Sequence, residues 1–150
     1  MHERLILLCA ALTGCPVPVM AQDYTKAVDA AWCTGVLASG IEGWRASSKA
    51  VDLELAREFE PLRNYYFAFA KGYFRESDGY ISFILMGRKS VEECKQVGWR
   101  CHSQYPVTAE DYKTHPERIK ANKDCNEASP ACRRVNACLS GAPGAVPTLQ

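Results

Sequence analysis

From Val51 onward the apolar residues keep a helical beat. Val51, Leu55, Phe59, Leu62, Tyr66, Phe69 and Tyr73 step by threes and fours, the spacing that lines one face of an α-helix. The pattern predicts a long helix over 49–76. Pro61 falls inside it. Proline lacks the amide donor and crowds the turn before it, so a kink or a break is expected there. Upstream, residues 23–46 read as a first helix with Asp23 as its N-cap. Residues 30–41 of that helix carry no charge, and a helix apolar on every side is a buried one. Gly35 and Gly40 lie within it. Each costs about 1 kcal/mol against alanine, so close approach of a neighbouring backbone has to offset them.

Downstream, Asp78-Gly79 is a turn signal. Residues 80–86 are short and apolar, and with no partner strand in view they read as helix. Ser90-Val91-Glu92-Glu93 has the form of a capping box. It predicts a helix start at Ser90 and an end near Gln104, ahead of Pro106. Thr108 is placed to cap a further short segment, Pro116 suits a first helical turn, and Ser129-Pro130 opens a last helix carrying Cys132 and Cys138. The expected fold class is all-α, a small irregular bundle of about four to five helices.

The amino end follows a different pattern. A short polar start is succeeded by the apolar run 5–12, the layout of a secretory signal. The run is far shorter than the roughly 18–20 residues that cross a bilayer, so no transmembrane span is expected. Two cleavage sites compete. Val19-Met20-Ala21 suits ordinary signal peptidase and makes 1–21 the signal. Leu12-Thr13-Gly14-Cys15 resembles the bacterial lipobox, which implies a signal at 1–14 and a lipid on Cys15. The folded domain is then 22–139, and 140–150, rich in Gly, Ala and Pro, reads as a flexible tail.

Export changes how the cysteines are read. Of the 8 in the chain, Cys9 leaves with the signal, and Cys15 leaves or takes lipid. Cys33, Cys94, Cys101, Cys125, Cys132 and Cys138 remain, an even set that points to disulfides in an exported chain. Cys94 and Cys101 are two helical turns apart, as are Cys125 and Cys132. Within each couple the roughly 10 Å along the axis exceeds the about 7 Å that a disulfide spans. Antiparallel helices would instead pair Cys94 with Cys132 and Cys101 with Cys125, leaving Cys33 for Cys138. No couple has zinc-ligand spacing, and no Cys-x-x-Cys-His haem motif is present, so neither metal nor cofactor is expected.

Charge adds little. The chain carries 18 Lys+Arg against 17 Asp+Glu, without a basic face interleaved with aromatics, and nucleic acid is not an expected partner. No nucleophile elbow or zinc-protease motif occurs, so no residue is assigned as catalytic. Glu42 with Trp44 nearby is the best general-acid candidate, since a carboxyl against an aromatic wall has a raised pKa. The plainer alternative is a solvated residue near a helix end. His102 is the corresponding candidate base. In residues 65–74, six of ten are aromatic. Tyr66, Phe69 and Tyr73 follow the apolar stripe, whereas Tyr65, Phe67 and Phe74 lie off it. Those three are the candidate interaction surface for a protein, glycan or lipid partner.

Trp32-Cys33-Thr34-Gly35-Val36-Leu37 followed by Gly40 is similar to the first-helix Cys-x-Gly pattern of small periplasmic immunity proteins of type VI secretion. The resemblance spans one short stretch and implies an inhibitor of another protein. The reading as a whole is a periplasmic or secreted, non-enzymatic binding protein whose partner is another protein or an envelope component. Two alternatives stand beside it. One is a small secreted hydrolase using Glu42 or His102. The other is a structural lipoprotein anchored in the outer membrane through Cys15.

Overall fold

A computed structural model of the chain describes residues 19–75 and 78–141, with side chains from residue 23 onward. The apolar run, Cys9, the lipobox with Cys15, and residues 142–150 of the expected tail lie outside the described residues. The elements are α1 (Val19–Ala46), α2 (Ala50–Phe74), α3 (Gly79–Gln104), α4 (Asp111–Thr114), α5 (Pro116–Ala128) and α6 (Pro130–Ser140). The fold is all-α, with no strand among the described residues.

α1 is the central element. α2 packs along one side of it and α3 along another, and α2 and α3 scarcely meet. α6 closes over α1 and α3. The uncharged stretch read as buried is buried: Ala30, Ala31, Trp32, Val36, Leu37 and Ile41 are all in the core. Thr34, the polar member, donates its hydroxyl to the Ala30 carbonyl at 2.8 Å, so no buried polar atom is left unmatched there. α1 begins at Val19 rather than at Asp23. Met, Ala and Gln are good helix formers, and they carry the helix past the expected cap.

The helices α1 and α3 cross at two glycines. A Cβ on Gly35 would lie 1.9 Å from the Ile84 carbonyl oxygen, and one on Gly87 would lie 2.0 Å from the Trp32 carbonyl oxygen. The hydrogen that replaces each missing Cβ therefore points at a carbonyl of the opposite helix, a Cα–H···O arrangement. This is the close approach that offsets the helical cost of Gly35. Gly40 is different, since its nearest neighbour would be the Trp44 ring at an ordinary 3.5 Å.

α2 runs unbroken through Pro61, which rules out the helix break. Ala56, Leu62 and Ala70 are its buried residues. Val51 and Tyr73, the first and last members of the stripe, are exposed at the two ends of the helix. Arg75 ends α2 with φ of 50° and ψ of −115°, and its amide donates to the Lys71 carbonyl at 2.8 Å.

The capping box at Ser90 does not start a helix. α3 is continuous from Gly79, and the Ser90 hydroxyl bonds back to the Met86 carbonyl at 3.1 Å, the i−4 bond of a mid-helix serine. Tyr80, Phe83 and Ile84 pack against Ala30, Ala31 and Ala70. That tertiary contact extends the helix upstream of the local start signal. The other start signals work as read. Thr108 and Asp111 cap each other: the Thr108 amide donates to Asp111 Oδ2 at 2.7 Å, and the Asp111 amide donates to Thr108 Oγ1 at 3.3 Å. Pro116 opens α5, and the Ser129 hydroxyl accepts from the Cys132 amide at 3.5 Å to cap α6.

The disulfides are Cys33–Cys138, Cys94–Cys132 and Cys101–Cys125, with Cα–Cα distances of 5.3, 4.8 and 5.8 Å. The last two are the pairs expected of an antiparallel register, and the first is the pair that this register leaves over. The break at Ser129-Pro130 separates Cys125 on α5 from Cys132 on α6 without disturbing the order in which they meet α3. Three such cross-links belong to an oxidising, extracytoplasmic environment. Among the described residues, no helix is long and apolar enough to cross a membrane.

Candidate interaction surface

At the end of the bundle where α1 begins, α2 ends and α3 begins, aromatic rings from all three helices meet. Phe74 lies within ring-contact distance of Tyr24 (6.0 Å), Tyr73 (5.4 Å), Tyr80 (6.3 Å) and Phe83 (6.1 Å). Phe67 meets Tyr80 edge-on at 6.0 Å, and the Lys71 ammonium sits 6.0 Å from the Phe67 ring centre. Offset and edge-on contacts of this kind fix ring orientation.

Of the three residues singled out in the sequence, two come together. Phe67 and Phe74 are two turns apart on one face of α2, while Tyr65 points about 180° away and packs on Tyr66. Phe67 is 37% exposed, and Phe74 is half-buried by its four ring neighbours. The open edge of the cluster is completed by Tyr24, 47% exposed on α1, by Tyr73 on α2, and by Ile81 on α3. Sequence reading missed Tyr24 and Ile81 because no periodicity links residues on different helices.

Glu42 is not a raised-pKa acid. Arg88 of α3 grips it through two bonds, Nη1 to Oε2 at 2.8 Å and Nη2 to Oε1 at 2.6 Å. The Arg88 hydrogen bonds hold the Glu42 carboxyl below the usual glutamate range, and the same contact raises Arg88. Trp44 packs on Phe59 at 5.3 Å between centroids. His102 is farther along α3 from Arg88 by a helical rise of roughly 20 Å, so Glu42 and His102 do not form one site.

His102 lies instead on the wall of a groove of about 620 Å³ at the C-terminal end of the molecule, between the end of α3, α4, α5 and α6. Its polar lining is rich in asparagine, and the exposed Tyr112 is part of the same lining. A smaller, mostly apolar slot of about 180 Å³ opens between α1, α3 and α6, with Trp44, Val91, Val135 and Leu139 among its walls. Asp111, next in sequence to the groove residue Tyr112, is 3% exposed. It accepts from the Thr108 amide and hydroxyl and from Arg118, and these bonds, the backbone one foremost, hold its carboxyl below the ordinary aspartate value. No protein-family model, no curated protein and no solved structure matches the chain.

Proposed function

We propose that the chain is an exported periplasmic protein that acts by binding another protein of the envelope and catalyses no reaction. The observation that carries this reading is the aromatic end. Rings from three helices pack on one another, which orients them, yet Tyr24, Phe67, Tyr73 and Ile81 keep a substantial part of their surface open. Binding energy at protein interfaces concentrates in rigid aromatic anchors of this kind, because a side chain already held in place loses little freedom on association. Behind the cluster, Ala30, Ala31 and Ala70 pack against Tyr66, Phe69, Tyr80, Phe83 and Ile84 and support it.

The test uses the mature, disulfide-bonded domain carrying an affinity tag, captured from envelope extract alongside a Tyr24→Ser, Phe67→Ser, Ile81→Ser variant. A partner retained by the parent protein and lost by the variant, with helicity and melting cooperativity preserved, is the expected result. A partner held equally by both would move the binding surface elsewhere. The lipoprotein alternative has one feature in its favour: α1 starts at the aromatic end, so a lipid on Cys15 would tether that end to the membrane. The mass of the mature product distinguishes cleavage before Gln22 from an acylated Cys15.

A further inference from the structure

We propose that the C-terminal groove is a binding site for a neutral glycan, separate from the aromatic end and independent of what binds there. Its charge is balanced, because Lys123 and Glu127, which face each other across one helical turn at 3.6 Å, are both in its lining. A balanced site offers nothing net to a phosphate, a nucleic acid or a carboxylate. What it offers is hydrogen-bonding capacity. Asn126 donates to Asn122, which in turn donates to the Tyr105 carbonyl at 2.9 Å. That chain orients the two amides from behind. The side chains of His102 and Asn136 make no polar contact among the described residues, so an imidazole and a carboxamide are free on the groove walls. Each presents donor and acceptor atoms, and a sugar hydroxyl is likewise both donor and acceptor.

The second requirement of a pyranose is an apolar platform for its C–H face. Tyr112 supplies one. Its side chain lines the groove and the residue is 72% exposed, and Val107 and Ile119 add apolar surface to the same lining. Nothing in the core accounts for so exposed a ring. The volume of about 620 Å³ falls within the roughly 300–1,000 Å³ of small-ligand pockets. An extended peptide is a poorer match. Peptides gain affinity by adding a strand to a sheet edge or by laying a helix in an apolar groove. Here the walls are helices and the loop residues 107–109, which offer no sheet edge, and His102 and three asparagines interrupt the apolar surface that a docked helix would need.

The experiment is calorimetric titration of the full mature, disulfide-bonded protein with chitotriose, cellotriose and maltotriose, and with tetra-alanine as the peptide arm. Saturable binding of at least one trisaccharide is expected, without binding of tetra-alanine. Tyr112→Ala is expected to weaken it about tenfold, the loss of one stacked ring, and Asn136→Ala to weaken it several-fold. Both residues are exposed, so both variants should melt like the parent protein. Should either unfold, Tyr112→Phe keeps the platform and is expected to bind as the parent does. Failure of all three sugars to bind, binding unchanged in a folded Tyr112→Ala variant, or binding of tetra-alanine in their place would each overturn the assignment.

Discussion

Gly35 and Gly43 are about two turns apart on α1 and answer to opposite constraints. A methyl at Gly35 would meet the Ile84 carbonyl oxygen at 1.9 Å, a backbone atom that cannot step aside, whereas one at Gly43 meets nothing within 4 Å. Gly35→Ala should therefore force α1 and α3 apart and cost about 3 kcal/mol. Gly43→Ala should instead gain about 1 kcal/mol from helix propensity. Denaturant melts of the two variants check both signs, and a Gly35→Ala protein as stable as the parent would mean that the helices do not cross there. Glu42 makes a smaller, pH-dependent contribution. Its folded-state pKa is depressed by Arg88. The contribution is thus complete above the ordinary glutamate value of about 4.3 and fades as pH falls through the depressed one. The pair is largely exposed, so Glu42→Gln should cost less than about 1 kcal/mol at neutral pH, and that difference should disappear in acid.

Among the elements, α5 is the one that buries none of its own side chains. Its attachments to α3 and the following loop are the Cys101–Cys125 disulfide and the bond from Asn122 to the Tyr105 carbonyl. Chain entropy alone ranks the disulfides by loop length. The separations of 105, 38 and 24 residues give ceilings of about 5, 4 and 3 kcal/mol. Local order follows a different ranking. Replacing Cys101 and Cys125 together with serine should leave amide protection in α1 and α3 intact, while exchange in α4 and α5 accelerates toward that of an open chain. Uniform loss of protection would instead make this disulfide a support of the whole core. At the other end of the molecule the two off-stripe phenylalanines should separate. Phe74 has four ring neighbours, so Phe74→Ser should cost about 2 kcal/mol, a part of the cost of a fully buried ring. Phe67→Ser should cost under about 1 kcal/mol. Melting curves of the two single variants decide whether Phe74 is packing or free surface.

The whole molecule divides into a part with its own core and a part hung upon it. α1, α2 and the first half of α3 bury Ala30, Ala31 and Ala70 against Tyr66, Phe69, Phe83 and Ile84, with no cysteine in that cluster. The C-terminal helices close a second cluster of Trp32, Val36, Val135 and Cys138 that includes two disulfides at its margin. Arg134 adds a stacked guanidinium 4.4 Å from the Trp32 ring centre and an ion pair to Asp29 at 3.0 Å. Such an arrangement needs an oxidising compartment to be completed. Blocking with an alkylating reagent in intact cells should leave all six domain cysteines unmodified until a reductant is added to the unfolded protein. Free alkylation of all six in the cytosolic fraction would remove the basis of the exported reading.

Helical periodicity determined much of this fold. The threes and fours from Val51 to Tyr73 and the uncharged stretch in α1 state which faces must leave water, since that depends only on local spacing and polarity. The cysteine partners were legible in part: two couples of equal spacing can meet in order on either parallel or antiparallel neighbours, and the fold supplied the antiparallel pairing that the spacing allowed. The tertiary structure decided the rest. Gly87 matters because Trp32 of another helix passes over it, Ser90 bonds within a helix because residues far upstream already hold that helix in place, and Glu42 is tied down because Arg88 arrives beside it. The surface expected from Tyr65, Phe67 and Phe74 on α2 lost Tyr65 and became a junction of three helices for the same reason. A periodic pattern tells each helix which side to bury, but the choice of neighbour is made by packing between residues distant in the chain.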